Sequence, residues 1–242
     1  MAVTRRPDLV ADQLANPPWG SRGFAPDDPP VRVGATGSGA DLLLLGWTTD
    51  ELAAEVRAGA ALFGRVGVAS GMRVANTLPG ALVTPGALLV GDVIEAIGAL
   101  DVPLGVIESE AAARAAWELF DRIEATVLVT EPGPGATTLF AAAPRLARPW
   151  WTGIVWLSRG SAAAPVPPPP GFSGWQRTWL AVAEASSFVA ASCEAGGFHA
   201  GEGASTDVVD GELVLGTRRH ASGLRARALD ACPCGRGRAF AL

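Results

Sequence analysis

"RVANTLPGALVTPGALLVGDVIEAIGALDVPLGVI", Arg73–Ile107, changes periodicity twice. "RVANTL" reads as a short strand. "TPGALLVGDVIEAIGAL" reads as a helix, with Pro85 in its first turn, where a missing N–H leaves no carbonyl unserved. "VPLGVI" returns to a strand. Strand, helix and strand in one short segment form the unit of a parallel sheet covered by helices.

The flanks repeat the unit. Upstream, "TTDELAAEVRAGAALFGRVG" is the clearest helix. Thr48 and Glu51 have capping-box spacing, and Leu52, Val56, Leu62 and Phe63 supply an apolar stripe. Further upstream, "VRVGATGSGA" reads as a strand running into a Gly-rich turn, and a short helix is expected near Pro7 to Leu14. Downstream, Ser109 caps "EAAARAAWELFDRI", and "ATVLVT", "GIVWLS" and "TWLAVAE" read as strands. "TDVVDGELVLGTRR" and "GLRARALD" differ: they read as an antiparallel hairpin region with "DG" at its turn. The expected fold is α/β, a mostly parallel sheet flanked by helices, with a small antiparallel β region near the C-terminus. The expected organisation is an N-terminal arm over 1–30, an α/β core over 31–160, a Pro-rich linker or loop over 161–175, and a strand plus a metal-bearing β region over 176–242.

Composition narrows the chemistry. The chain has 242 residues and a net charge of -5, with no basic stripe, which argues against a nucleic-acid partner. The most apolar stretch, Ala81 to Leu100, is broken by Pro85, Gly86, Gly91, Asp92 and Glu95. A membrane span needs about 20 mostly apolar residues, so a buried helix is expected there and a cytoplasmic location for the protein. All 19 basic residues are arginine and there is no tyrosine. No lysine can form a Schiff base or clamp a transferring phosphate, and no phenol can act as acid or base. "GFSGW" lacks the G-x-S-x-G spacing of a hydrolase nucleophile.

The soft side chains gather near the end. "CEAGGFHA", Cys193–Ala200, and "CPCGRGRAF", Cys232–Phe240, hold all 3 cysteines and one of the 2 histidines. Cys193, His199, Cys232 and Cys234 make a Cys3His set of the kind that binds zinc tetrahedrally. A single residue between Cys232 and Cys234 is tighter than the usual knuckle, and His220 is an alternative fourth ligand. Free buried thiols with an incidental histidine fit the same residues.

The order "GELVL", "GLRARALD", "CPCGR", with "CEAGGFH" upstream, resembles the end of the large domain in phenylacetate–CoA ligase-like enzymes of the adenylate-forming (AMP-binding) superfamily. "RRPDLVADQLANPPWG" and "VRVGATGSGADLLL" are similar to the segments at and before that family's phosphate loop. The resemblance covers roughly Arg5 to Arg238, with segments missing in the middle. It implies a structural Zn2+ on Cys193, His199, Cys232 and Cys234. It also implies ATP or AMP and Mg2+ as cofactors. Thr36 and Ser38 would lie in the phosphate loop, Glu184 would take the magnesium, Asp230 the ribose, and Arg227 would stand beside it.

Family members activate a carboxylic acid as an acyl-adenylate and pass it to coenzyme A, using a lysine on a mobile C-terminal domain. That lysine has no counterpart in this sequence, and the chain ends at Leu242, so the mobile domain is expected to be absent. The expectation is therefore a degenerate, zinc-stabilised relative acting as a binding or accessory subunit, as a homodimer or with a larger biosynthetic partner, with a carboxylic acid or nucleotide as ligand. The alternative is an active adenylate-forming enzyme with weak or partner-assisted acyl-adenylate formation.

Overall fold

The computed structural model describes residues 4–21, 23–79, 85–144, 148–160, 166–209, 212–216, 221–224, 227–229 and 232–241. In chain order, helix α1 (Arg6–Ala15) precedes β1 (Arg32–Thr36), a one-turn 3-10 helix (Gly39–Asp41) and β2 (Leu43–Trp47). Then come α2 (Thr49–Val66), β3 (Arg73–Asn76), α3 (Pro85–Ile97), β4 (Leu100–Pro103), α4 (Glu110–Arg122) and β5 (Val127–Thr130). They are followed by α5 (Pro134–Ala141), β6 (Gly153–Ser158), β7 (Trp175–Val182), β8 (Ser186–Ser192) and β9 (Phe198–Ala200). The chain closes with β10 (Ser205–Val209), β11 (Glu212–Gly216), β12 (Ala221–Leu224), β13 (Arg227–Leu229) and β14 (Ala239–Ala241).

One 9-stranded sheet runs β13-β14-β9-β8-β7-β6-β5-β3-β4. From β4 to β7 every pairing is parallel; from β7 onward every pairing is antiparallel. The parallel half buries both faces, as alternation along each strand shows. Val74, Val127, Val129, Val155 and Leu157 pack under α2 and α3. Their neighbours Ala75, Leu128, Ile154 and Trp156 pack under α4 and α5. Successive side chains of a strand point to opposite faces, so a helix on each side turns a strand into a continuous apolar run. A 3-stranded antiparallel sheet, β10-β11-β12, stands apart. The α/β class with its small antiparallel region is therefore as expected. No helix among the described residues is long and apolar enough to cross a membrane.

Caps fix the helices where the sequence places them. Thr48 Oγ1 accepts from Glu51 N at 3.4 Å, and Glu51 Oε2 accepts from Thr48 N at 3.0 Å. Ser109 Oγ accepts from Ala112 N at 3.2 Å.

Several elements differ from the sequence reading, which contains no counterpart of α5, β9 or β14. "LLLGW" is a strand, β2, and pairs antiparallel with β1, so the Gly-rich turn closes a hairpin outside the main sheet. "SSFVAAS" is likewise a strand, β8, antiparallel to β7. The strand expected over Val102–Ile107 starts and stops earlier, at Leu100–Pro103, because Leu104 N and Gly105 N both turn back to Asn76 O, at 2.8 and 3.3 Å. Pro103 is tolerated there because β4 is an edge strand.

Helix α1 docks on the hairpin. Val10 is buried with Leu43, Leu45 and Trp47. The Gln13 amide donates to Leu44 O at 2.7 Å and accepts from Leu44 N at 3.0 Å, a backbone-like pair made by one side chain.

Candidate functional site: a cysteine–histidine cluster and a strand-end rim

Cys193, His199, Cys232 and Cys234 meet at the antiparallel end of the sheet, and one donor atom from each lies within 4.8 Å of all the others. Two turns and one strand bring them there. After β8 the chain folds back at Cys193, whose N–H donates to Gly197 O at 2.9 Å and whose carbonyl accepts from Gly196 N at 3.0 Å. Gly196 has φ +79, a left-handed conformation that favours glycine. The second turn repeats the device: Cys232 N donates to Gly237 O and Cys232 O accepts from Gly235 N, both at 3.0 Å. His199 stands mid-strand on β9, opposite Ala191.

Within the cluster, the Cys193 and Cys232 sulfurs are 3.5 Å apart, and Cys234 Sγ is 3.2 Å from His199 Nε2. With metal–sulfur bonds of about 2.3 Å and metal–nitrogen bonds of about 2.0 Å, the edges of a tetrahedral site are roughly 3.5–3.8 Å. The donor set fits such an ion with only small adjustments. Three of the residues are buried and Cys234 is partly so. Burial works against the Cys193 thiolate, but hydrogen bonds from His199, Cys232, the Ala195 backbone and Cys234 outweigh it and lower Cys193 to about 6. A backbone hydrogen bond from Cys234 lowers Cys232, but burial and the neighbouring Cys234 and Cys193 outweigh it and raise it to about 11. The close pair thus shares one proton in the absence of a cation, and a dication would take that proton's place.

Gly197 carries no side chain into this space. A Cβ there would lie 3.1 Å from both Cys232 Sγ and Ala239 Cβ. Gly197→Ala is therefore expected to lower stability by about 1 kcal/mol through overpacking and to weaken metal retention. Calorimetry with metal content per chain would check this, and unchanged retention would mean that the sulfurs can move apart freely.

The second grouping lies at the carboxyl ends of the parallel strands. From β3 the chain moves outward to β4 and then crosses to β5 on the other side, so the β3–β5 boundary is a topological switch point, the usual place for a ligand crevice in such sheets. Asn76, Thr77, Thr130 and Ser158 are buried polar residues at these ends. Thr77 Oγ1 and Thr130 Oγ1 are hydrogen-bonded at 2.8 Å, and Asn76 Oδ1 accepts from Leu78 N at 2.9 Å. Sequence reasoning missed these residues; hydroxyl or amide groups ending otherwise apolar strands were the available signal.

Arg6, also missed, organises the rim. Its guanidinium pairs with Glu184 in the β7–β8 turn. It also donates from Nη2 to Thr36 O at 2.8 Å and to Asp41 O at 2.6 Å. The structure thus brings Thr36 and Glu184 to one point, with Ser38 on the same turn. Gly37, at φ +79, lies so close that a Cβ would strike Arg6 Nη2 and Asp41 O. Glu131, just after β5, is held by Arg159 through two parallel hydrogen bonds of 2.7 and 2.6 Å. Arg227 stands on β13, opposite Ala241 and four strands from β7. Asp230 and His220 lie outside the described residues.

No protein-family model matches the chain. No curated protein matches it by sequence. Solved structures do. The chain is similar to 2-hydroxyisobutyryl-CoA ligase in an open conformation in complex with 2-HIB-AMP and CoA, at 18% identity and TM-score 0.80, over 99% of this chain and 62% of that one. The same ligase in its thioesterification state gives 19% and 0.80, over 98% and 56%. A long-chain-fatty-acid-CoA ligase from Archaeoglobus fulgidus gives 14% and 0.60, over 92% and 51%. The likeness to these CoA ligases is one of fold. The chain spans 51 to 62% of the length of these neighbours.

Proposed function

We propose that this protein is a zinc-clasped relative of the phenylacetate–CoA ligase-like enzymes that serves as a binding or accessory subunit and does not run the complete acid-activation reaction. The observation that carries this reading is Arg6. It occupies the point between the Gly-rich turn and Glu184 where the resemblance asks for phosphate oxygens and a magnesium ion. A carboxylate paired with a guanidinium must give up that partner before it can bind a cation, and a turn whose carbonyls face a guanidinium is arranged for positive charge. The 242 residues also contain no lysine to balance charge developing in an acyl transfer. Loss of one such group commonly costs about 10²–10³ in rate.

The assignment to the phenylacetate–CoA ligase branch rests on "CEAGGFH" and "CPCGR", and the metal assignment on ligand chemistry. Three thiolates and one imidazole in tetrahedral reach suit Zn2+, and four protein ligands leave no position for an activated water. The ion's part is then structural: Cys193, His199, Cys232 and Cys234 would hold the turn after β8 to the turn before β14.

The active-enzyme reading keeps one argument in its favour, the buried polar strand ends at the switch point. ATP–pyrophosphate exchange over a panel of alkyl and aryl carboxylic acids decides between the two. No exchange above blank is expected, and no heat on titrating magnesium–ATP. Exchange abolished by Glu184→Ala would overturn the accessory reading.

A further inference from the structure

Behind the cysteine–histidine cluster, where α2 ends, is a separate cavity of about 50 Å³ lined by Arg65, Val66, Ala191, Ser192, His199 and Arg236. Its floor is apolar, since Val66 and Ala191 are buried. Its polar lining is made of donors. Arg65 spends one N–H of Nη1 on Ala200 O at 2.9 Å, which anchors the guanidinium. Ser192 Oγ accepts from Thr178 N at 2.7 Å, which leaves its hydroxyl proton to donate elsewhere. His199 Nε2 faces Cys234, so Nδ1 is the ring nitrogen left for a second partner. A histidine that holds a metal through one nitrogen nearly always donates from the other to an acceptor.

Among the described residues no carboxylate lines this space. Glu194 is shared by Arg236 at 3.8 Å and Arg177 at 4.0 Å. Glu202 acts on Arg65 only at range: burial, then the Arg236 charge, push Arg65 below the usual guanidinium range, with Glu202 opposing. The Arg65 and Arg236 guanidiniums therefore line one small cavity together with the Ser192 hydroxyl and the His199 ring. An oxyanion seated between them could accept from both guanidiniums.

We propose that this cavity binds one small oxyanion: inorganic phosphate or the phosphate of a monoester. A single water needs roughly 10–15 Å³ of such space, so several heavy atoms fit and a nucleobase does not. The Arg65 fork on one side and Arg236 on the other would take phosphate oxygens with charge-assisted hydrogen bonds. Arg236 belongs to the turn that carries Cys232 and Cys234, closed by the Cys232–Gly237 and Gly235–Cys232 hydrogen bonds. Metal and anion should therefore strengthen each other's binding. That coupling rests on the metal reading, as does the part of His199; the anion site itself rests on the two guanidiniums.

The test is thermal unfolding of the whole metal-loaded chain in phosphate against chloride at equal ionic strength. A saturable rise is expected, about 5–11 °C at a hundredfold excess over Kd. Arg65→Gln and Arg236→Gln, both at exposed side chains, should each weaken phosphate roughly 10- to 100-fold, read as the phosphate-dependent rise of each variant over its own unfolding in chloride. Glycerol phosphate binding as well as phosphate would assign the monoester, and phosphate binding alone the free ion. A shift no larger than in chloride, or Gln variants that respond like the parent, would overturn the site. A phosphate shift that keeps its full midpoint affinity after chelation, with metal loss verified, would overturn the coupling alone.

Discussion

Cys193→Ser, Cys232→Ser or prolonged chelation is expected to lower Tm by about 8–16 °C, with metal content falling from one ion per chain to none. The size follows from what the ion would hold. Strands β9 and β14 are 3 residues each and share a single pairing, Phe198 with Phe240. Their stacked rings, 5.6 Å apart, bury modest area. Among the described residues the Cys193 turn is also tied to the Cys232 turn by the Glu194–Arg236 ion pair at 3.8 Å, a half-exposed contact of small worth, so a lost metal removes most of the clasp. Such losses belong to the rare class costing about 4 kcal/mol or more, and a chain of this length loses roughly 2–4 °C per kcal/mol.

The loss should also depend on pH in one direction. Thiolates, not thiols, hold the ion, and Cys193 stays ionised down to about 6. Because its folded value is depressed, the stabilisation is present above the ordinary thiol range and is lost as pH falls through 6. Acid, not base, should release the metal. Calorimetry alongside elemental analysis checks both halves. Cysteine variants that keep their metal, or a metal-free protein with unchanged Tm, would remove the clasp.

The cluster was legible because its residue types are rare: 3 cysteines and 2 histidines in 242 residues leave few ways to assemble four soft donors. The parallel core was legible because helix and strand periods alternate cleanly from Thr48 to Thr130, and the caps at Thr48 and Ser109 are local signals; the short helix α5 was not read. Strands β2 and β8 were not, since "LLLGW" and "SSFVAAS" are runs without a two-residue alternation; burial on both sides erases it. Arg6 was invisible for another reason. Its partner Glu184 is 178 residues away, and nothing local in "TRRPDL" distinguishes an arginine that reaches across the molecule from one in water. Thus the ion-binding candidates could be found from composition, but the group that closes the strand-end rim could not.

Trp179→Ala is expected to cost about 3–5 kcal/mol, the usual range for a fully buried aromatic. Trp179 has 0% exposure. Its ring stacks on Phe188 at 5.0 Å and 9°, and meets Phe63 of α2 edge-on at 5.2 Å. Its indole N–H donates to Ser187 O at 2.8 Å. Position makes the loss more than a cavity: β7 is the strand where parallel pairing to β6 gives way to antiparallel pairing to β8. Trp179 holds that seam from the helix side, so its removal should lower Tm for the whole chain in one transition. Trp179→Phe keeps a ring but loses the N–H and part of the volume, so it should cost clearly less, about 1–2 kcal/mol. The folded fraction of Trp179→Ala should still carry its metal, because the four donors sit on the turns beyond β8 and before β14, not on β7. The two variants therefore separate two supports. Cysteine loss should release the ion and loosen the sheet end, whereas tryptophan loss should unfold the chain at a lower temperature with the ion in place. Metal lost from Trp179→Ala below its unfolding transition would mean that the cluster depends on the seam, and a Tm within 2 °C of the parent would remove Trp179 from its place at the join.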